Sequence, residues 1–344
     1  MRIDKINNIL NNTKDYIKNP ESFSFGDIAL DLYDLHRLHN KNYKKYSVGK
    51  LDDWRKIPLV ASYELSKRKL QLNNFSGYAP INEIEFISKG KKPKHHSLID
   101  TEFLRAAIAS SFGNIVLNTY HPNNRIVFIG GKEPNSLSSY VREYLSSIYD
   151  FRGIYEYVNP TNPIAVEEFI FSTNSLQYDP LIVIGTPNQF YQFKLTVDTL
   201  SSNPIVDISS GVPTIIQFGD YIELSKMDLT YYEINDWLSN FFHTSTNSII
   251  QVYYSTELSS QLFRWGNNLS YLAPDTVSVR VIDPYTGEES DPGVEGNLAF
   301  IDIANVWSCP FIISDDLGIM YNNSQSVQIT RKSDSILKNS VQLK

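Results

Sequence analysis

The sequence predicts an α/β fold: a parallel, helix-covered sheet followed by a smaller, mostly antiparallel barrel or sheet. Three observations predict it. Four short apolar runs, Arg125–Gly131 (RIVFIGG), Leu181–Gly185 (LIVIG), Thr214–Gly219 (TIIQFG) and Ile249–Ser255 (IIQVYYS), each end in glycine or a polar turn. Such runs read as strands buried on both faces. Helical stretches, Leu137–Tyr149 and Tyr232–Phe242 among them, lie between these runs, and that alternation is the signature of a parallel sheet. In the last third, Val277–Asp283, Asn297–Ile303 and Phe311–Ser314 follow one another closely, with Asp283-Pro284-Tyr285-Thr286-Gly287 as turn chemistry between the first two.

Taken in order, the chain opens with helix. Ile3, Ile6, Leu10 and Ile17 are spaced for one helical face, Asn19-Pro20 breaks the run, and Phe25–Leu38 repeats the pattern. Trp54-Arg55-Lys56-Ile57-Pro58 marks a new segment, and Glu102–Phe112 reads as an amphipathic helix with acids in its first turn. Leu258–Trp265 is expected to be helical, and the polar tail from Arg331 is expected to fray. These changes of texture divide the chain into a helical segment (1–70), an α/β core (71–270), a small β-barrel (271–330) and a hinge-like tail (331–344).

Composition narrows the function classes. The 344 residues carry 31 Lys and Arg against 38 Asp and Glu, a net charge of −7, with 42% hydrophobic residues. That is enough apolar material for a substantial core. The acidic balance argues against a general nucleic-acid binder, which needs a basic surface to displace counterions. The single cysteine, Cys309, excludes an internal disulfide framework and a multi-cysteine zinc site. Neither a signal-peptide core nor an apolar run of about 18 residues occurs, so a cytoplasmic protein without a membrane span is expected.

Several short stretches have chemistry to offer, each with a plainer reading beside it. Lys89-Gly90-Lys91-Lys92-Pro93-Lys94-His95-His96 is a basic, glycine-containing stretch placed between the expected strand Ile84–Ile87 and a helix. It is an anion cradle or a solvated cationic loop. Adjacent His95 and His96 on a strand point to opposite faces and do not share a metal. Gly185-Thr186-Pro187 and Phe218-Gly219-Asp220 either line a crevice or turn the chain after a strand. Glu257, after Thr256, holds Mg²⁺ or complements a helix dipole. Asp315-Asp316-Leu317-Gly318 grips a ribose diol or a metal, or forms an Asx turn. Cys309, in apolar surroundings, reads as a buried structural thiol. No nucleophile elbow, P-loop signature or dinucleotide fingerprint is present.

In order along residues 50–340, these pieces resemble the adenylate-forming acyl ligases. The likeness is strongest to the acyl-protein synthetase component of the bacterial luminescence fatty-acid reductase, then to phenylacetate–CoA ligase. The stretches that carry it are WRKIPLVASYEL (54–65), FISKGKKPK (86–94), Ile184–Pro187, Ile215–Asp220, Tyr253-Tyr254-Ser255-Thr256-Glu257, IDPYTGEESDPGVEGNLAFIDIAN (282–305), Ile313–Gly318 and Ile329–Asp334. The resemblance implies the large domain of that fold, with ATP/AMP and Mg²⁺ as cofactors. It also implies a carboxylic acid substrate and an acyl-accepting protein or carrier thiol. It places Tyr253 on adenine, Thr256 on the α-phosphate, Glu257 on the metal, Asp316 on the ribose and Arg331 at the hinge. Gly219 falls in the adenine turn, and Ser88, Gly90, Lys91 and Lys92 in the phosphate loop.

The sequence departs from that pattern in three places. The phosphate loop, Ser88-Lys89-Gly90-Lys91-Lys92-Pro93, is nearly free of hydroxyls, and Phe218 stands where the first of two glycines is expected. Past the hinge the family's C-terminal lid domain is not expected, nor an acyl-accepting C-terminal cysteine. An acyl-adenylate-forming synthetase is the first reading. A catalytically degenerate relative serving as a binding or partner subunit, and an acyltransferase using an acyl group activated elsewhere, are the alternatives.

Overall fold

The computed structural model describes residues 3–67, 70–72, 84–87, 95–98, 101–116, 125–131, 140, 144, 155–175, 181–200, 204, 206, 213–219, 230–321 and 326–332. Strands are numbered in chain order: β1 Val60–Ala61, β2 Ile84–Ile87, β3 His95–Leu98, β4 Arg125–Ile129, β5 Tyr155–Val158, β6 Leu181–Gly185 and β7 Thr214–Phe218. They continue as β8 Ile249–Tyr253, β9 Leu262–Trp265, β10 Ser270–Leu272, β11 Val277–Ile282, β12 Gly296–Asp302, β13 Phe311–Ile319 and β14 Ser326–Lys332.

Among the described residues, twelve of these strands form one continuous sheet. Its first half runs β5-β4-β6-β7-β8, all parallel. Beyond β8 the ladder becomes antiparallel and continues through β9, β10, β14, β13, β12 and β11. The first half of β13 also pairs, in parallel, with β1.

The parallel strands are apolar throughout because each buries both faces. Ile126 and Phe128, Ile182 and Ile184, Ile216 and Phe218, and Ile250 and Val252 point to one side, where Leu104, Ile108 and Phe112 of the helix Thr101–Val116 cover them. The intervening Val127 and Ile129, Leu181 and Val183, Ile215 and Ile249 meet the helices Pro163–Ser175, Pro187–Thr199 and Tyr231–Phe241 on the other. The period of two along a strand produces this division. Two of those helices start on full capping boxes, Thr186 with Gln189 and Thr230 with Glu233. The N-terminal helices, Ile3–Lys18 and Phe25–His39, bury their apolar stripes with Phe311, Ile312, Trp307 and Cys309 of the antiparallel half.

Three expectations need correction. Leu258–Trp265 is not a helix: Leu262–Trp265 is strand β9, paired antiparallel to β8. The backbone edge of β8 needs a hydrogen-bonding partner, and that need outweighs the helical spacing of the leucines and Trp265. The basic stretch does not lead from strand to helix. His95 and His96 begin β3, which pairs with β2 (Ile87↔His95, Phe86↔His96), and residues 88–94 lie outside the described residues. The strand expected over Phe311–Ser314 runs on to Ile319, which places Asp315 and Asp316 inside a strand and not in an Asx turn. The helix expected over 137–149 lies almost wholly outside the described residues. No helix among the described residues is long and apolar enough to cross a membrane.

Candidate functional site

The site lies where the carboxyl ends of β7 and β8 face β13. Gly219 follows β7 with φ +112, and its N–H donates to the Val252 carbonyl of β8 at 3.0 Å. A Cβ there would meet only the Pro187 and Tyr254 side chains, at 3.9 Å. The left-handed backbone, and not lack of room, is what calls for glycine. Gly219→Ala should therefore lower stability by about 1–2 kcal/mol, read from the urea midpoint. The neighbouring ring of Phe218 turns away from the turn into the core, stacked on Phe112 at 5.9 Å. The bulky residue at the expected glycine position therefore leaves the turn unobstructed.

Alternation at the end of β8 sends its last residue, Tyr253, and the next one, Tyr254, to opposite faces. Tyr254 is half-buried, packs with Ile250 and Val252, and meets Phe218 edge-on at 6.1 Å. Tyr253 is 2% exposed, stacked on Phe300 at 6.3 Å and edge-on to Tyr271 at 6.0 Å. Its hydroxyl donates to Asp316 Oδ2 at 2.6 Å. Burial first, then the Asp316 charge, push the Tyr253 hydroxyl well above its usual pKa; the Glu257 carboxylate adds to the effect. Tyr253 thus stays protonated and stays a donor. Tyr253→Phe removes that donor from a buried carboxylate and should cost about 2 kcal/mol by thermal unfolding.

Glu257 is itself buried. Its Oε2 accepts from the Ser255 hydroxyl and from Thr256 Oγ1, the latter at 3.2 Å. Tyr253, Thr256, Glu257 and Asp316 are in this way brought together across 63 residues of sequence between Tyr253 and Asp316. Asp315, pointing the other way along β13, accepts from the Ser62 hydroxyl at 3.1 Å. The backbone of Arg331 lies on β14 opposite Leu317, beside Asp316 on the neighbouring strand. Ser88, Gly90, Lys91, Lys92 and Asp220 lie outside the described residues. Among the described residues no three His, Cys, Asp or Glu side chains cluster as a metal nest. The Ser255, Thr256 and Glu257 oxygens are an all-oxygen donor set, which suits a hard cation completed by substrate oxygens.

Two residues of the quoted stretch 282–305, to which the sequence reading gave no role, belong to the same neighbourhood. Asp302 and Asn305, both fully buried, bond the loop that carries Glu257. A lone acid at a strand end and a lone asparagine gave no pattern to detect. Cys309 is buried, and burial pushes its thiol up to about 12, so it is an inert packing group of the kind expected.

The sequence pattern of the family described as "Acyl-protein synthetase, LuxE" matches residues 114–341, two thirds of the chain. The chain belongs to that family. No curated protein sequence matches it. Among solved structures, it is similar to an open conformation of 2-hydroxyisobutyryl-CoA ligase in complex with 2-HIB-AMP and CoA. That likeness has a TM-score of 0.65 at 12% identity, covering 90% of this chain and 70% of the ligase. The same ligase in its postadenylation state gives 0.64 at 11% identity, over 90% and 68%. ATP-bound MatB from Rhodopseudomonas palustris gives 0.50 at 13% identity, over 75% of this chain and 50% of MatB. At such identities the likeness is one of fold. This acyl-protein synthetase family member has the mixed α/β architecture of the large domain of adenylate-forming ligases.

Proposed function

We propose that this protein activates a carboxylic acid with ATP as an acyl-adenylate and hands the acyl group to a thiol of a partner protein or carrier. The observation that carries the reading is the convergence of Tyr253 and Glu257, at and just past the end of β8, with Asp316 in the second half of β13 in a chain of the acyl-protein synthetase family. Open parallel sheets bind ligands beyond the carboxyl ends of their strands, and this cluster lies there. The ATP and acyl-AMP named for the structural neighbours support the same nucleotide here.

In this reading adenine rests by the Gly219 turn, where the half-buried Tyr254 lies, and Tyr253, its ring buried against Phe300, serves the site through its hydroxyl. Asp316, held by the Tyr253 hydroxyl, accepts from the ribose hydroxyls. A carboxylate oxygen of the acid attacks the α-phosphorus, the bond to the bridging oxygen of pyrophosphate breaks, and pyrophosphate leaves. The acceptor thiol then attacks the acyl carbonyl, and AMP departs. Negative charge builds on the transferring group, so catalysis is chiefly electrostatic. Thr256 donates to the α-phosphate, and the family resemblance assigns the charges of Lys91 and Lys92 to the outer phosphates. Mg²⁺, with Glu257 as its protein ligand, neutralises phosphate charge when bound. The family resemblance assigns Arg331, on the strand next to that of Asp316, to the ribose or phosphate.

The test is pyrophosphate release with ATP, Mg²⁺ and a panel of fatty, aryl and amino acids. Acid-dependent release is expected, and silence across the panel sinks the reading. The hydroxyl-poor phosphate loop favours one alternative, a nucleotide-binding partner subunit. Calorimetric binding of AMP without any turnover would establish that one instead.

A further inference from the structure

The loop Tyr254–Gln261, which carries Thr256 and Glu257, leaves β8 without helix or strand of its own. A metal-binding carboxylate on such a loop needs its backbone held from outside. The grip comes from the end of β12. Asp302 Oδ2 accepts the Ser259 and Ser260 N–H groups at 2.7 and 2.9 Å. Its Oδ1 accepts from Ser260 Oγ at 2.8 Å and the Ala304 N–H at 3.1 Å. Asn305 Nδ2 donates to the Glu257 carbonyl at 2.9 Å and to the Cys309 carbonyl at 3.0 Å, while its Oδ1 accepts from Ser259 Oγ at 3.4 Å. Asp302, Asn305, Ser259 and Ser260 are all at most 1% exposed.

The base of the grip is fixed as well. The Asp302 N–H donates to the Pro310 carbonyl at 2.9 Å, the Ile303 N–H to Thr276 at 3.0 Å and the Asn305 N–H to Asp302 at 3.0 Å. Asn305 therefore holds the chain at Glu257 itself, and Asp302 holds it two and three residues later. A core-filling role asks for apolar side chains at these places. Six of the seven bonds end on the loop or on the turn that carries the grip. We propose that Asp302 and Asn305 are positioning residues that set the Glu257 carboxylate and the Thr256 hydroxyl toward metal and nucleotide. This inference rests on the activation reading given above.

Outer groups that orient a metal ligand are worth about 10–100-fold in metal affinity or activity. The experiment compares the wild-type full chain with Asn305→Ala and Asp302→Asn. ATP–pyrophosphate exchange is followed over a Mg²⁺ series, and amide hydrogen exchange is measured along the whole chain. Expected for both variants are a rise of about tenfold or more in the Mg²⁺ concentration for half-maximal rate and faster amide exchange confined to residues 255–261. Protection in β6 and β7 should be unchanged. Wild-type Mg²⁺ dependence in the variants overturns the inference. So does loss of protection spread over the whole sheet, which would make the pair merely structural. If wild-type protein exchanges no pyrophosphate with any acid, the activation reading fails. The amide pattern then decides alone whether the grip holds the loop, and unchanged exchange over 255–261 overturns it.

Discussion

Glu257→Gln should slow acid-dependent ATP–pyrophosphate exchange by about 10²–10³-fold, a loss of about 3–4 kcal/mol of transition-state stabilisation. The substitution keeps the volume and the hydrogen-bond acceptor that Ser255 and Thr256 use, so folding should be nearly unaffected. It removes the charge that a hard cation requires. The fall should therefore come with weaker binding of ATP in Mg²⁺ and unaltered binding of metal-free AMP, both measured by calorimetry. Equal losses in the two titrations would show that Glu257 shapes the pocket and does not hold the metal.

Acid should destabilise the protein through His36, a residue far from the chemistry. Its side chain is fully buried, with Nε2 donating to the Val306 carbonyl at 2.9 Å and Nδ1 accepting from Asn40 Nδ2 at 3.1 Å. Phe311 and Tyr43 meet the ring edge-on at 5.9 and 6.0 Å. That arrangement fits the neutral ring with its proton on Nε2. Burial lowers the pKa to about 3, against about 6.5 for an unfolded histidine. Between those values the unfolded chain binds the extra proton and the folded chain does not, so this contribution is complete above about pH 6.5 and is lost as pH falls. At pH 4.5 the loss should be about 2–3 kcal/mol, growing to about 4–5 near pH 3. His36→Gln has no proton to bind. Its urea-unfolding free energy should fall less than that of wild type between pH 7 and pH 4.5, and parallel curves would exclude the histidine as the source.

Much of the architecture could be read ahead of the structure because it follows from local burial. Ile182 to Ile184, Ile215 with Ile216 and Ile249 with Ile250 are apolar on both sides, and only a strand covered on both faces makes use of that. The Thr-Glu pair and the late aspartate were legible as motifs. Their surroundings were not. Asp315-Asp316-Leu317-Gly318 has the composition of a turn. The strand continues through it because β14 pairs alongside, with a register shift between Leu317 and Gly318. Gly318 permits that approach, since a Cβ there would sit 2.7 Å from the Gln328 carbonyl oxygen. Ser259 and Ser260 were placed in a helix because nothing nearby in sequence reveals that Asp302 takes their N–H groups.

The amino-acid order alone therefore settled four of the five parallel strands, β4, β6, β7 and β8, and the covering helices Thr101–Val116 and Tyr231–Phe241, since hydrophobic periodicity acts over a few residues. Tertiary contacts decided that Tyr253 orients Asp316 across 63 residues, that Phe218 points into the core and that Asn305 grips Glu257 across 48. A buried carboxylate or carbonyl is satisfied by whichever donor the fold brings to it, and distance along the chain places no limit on that partner.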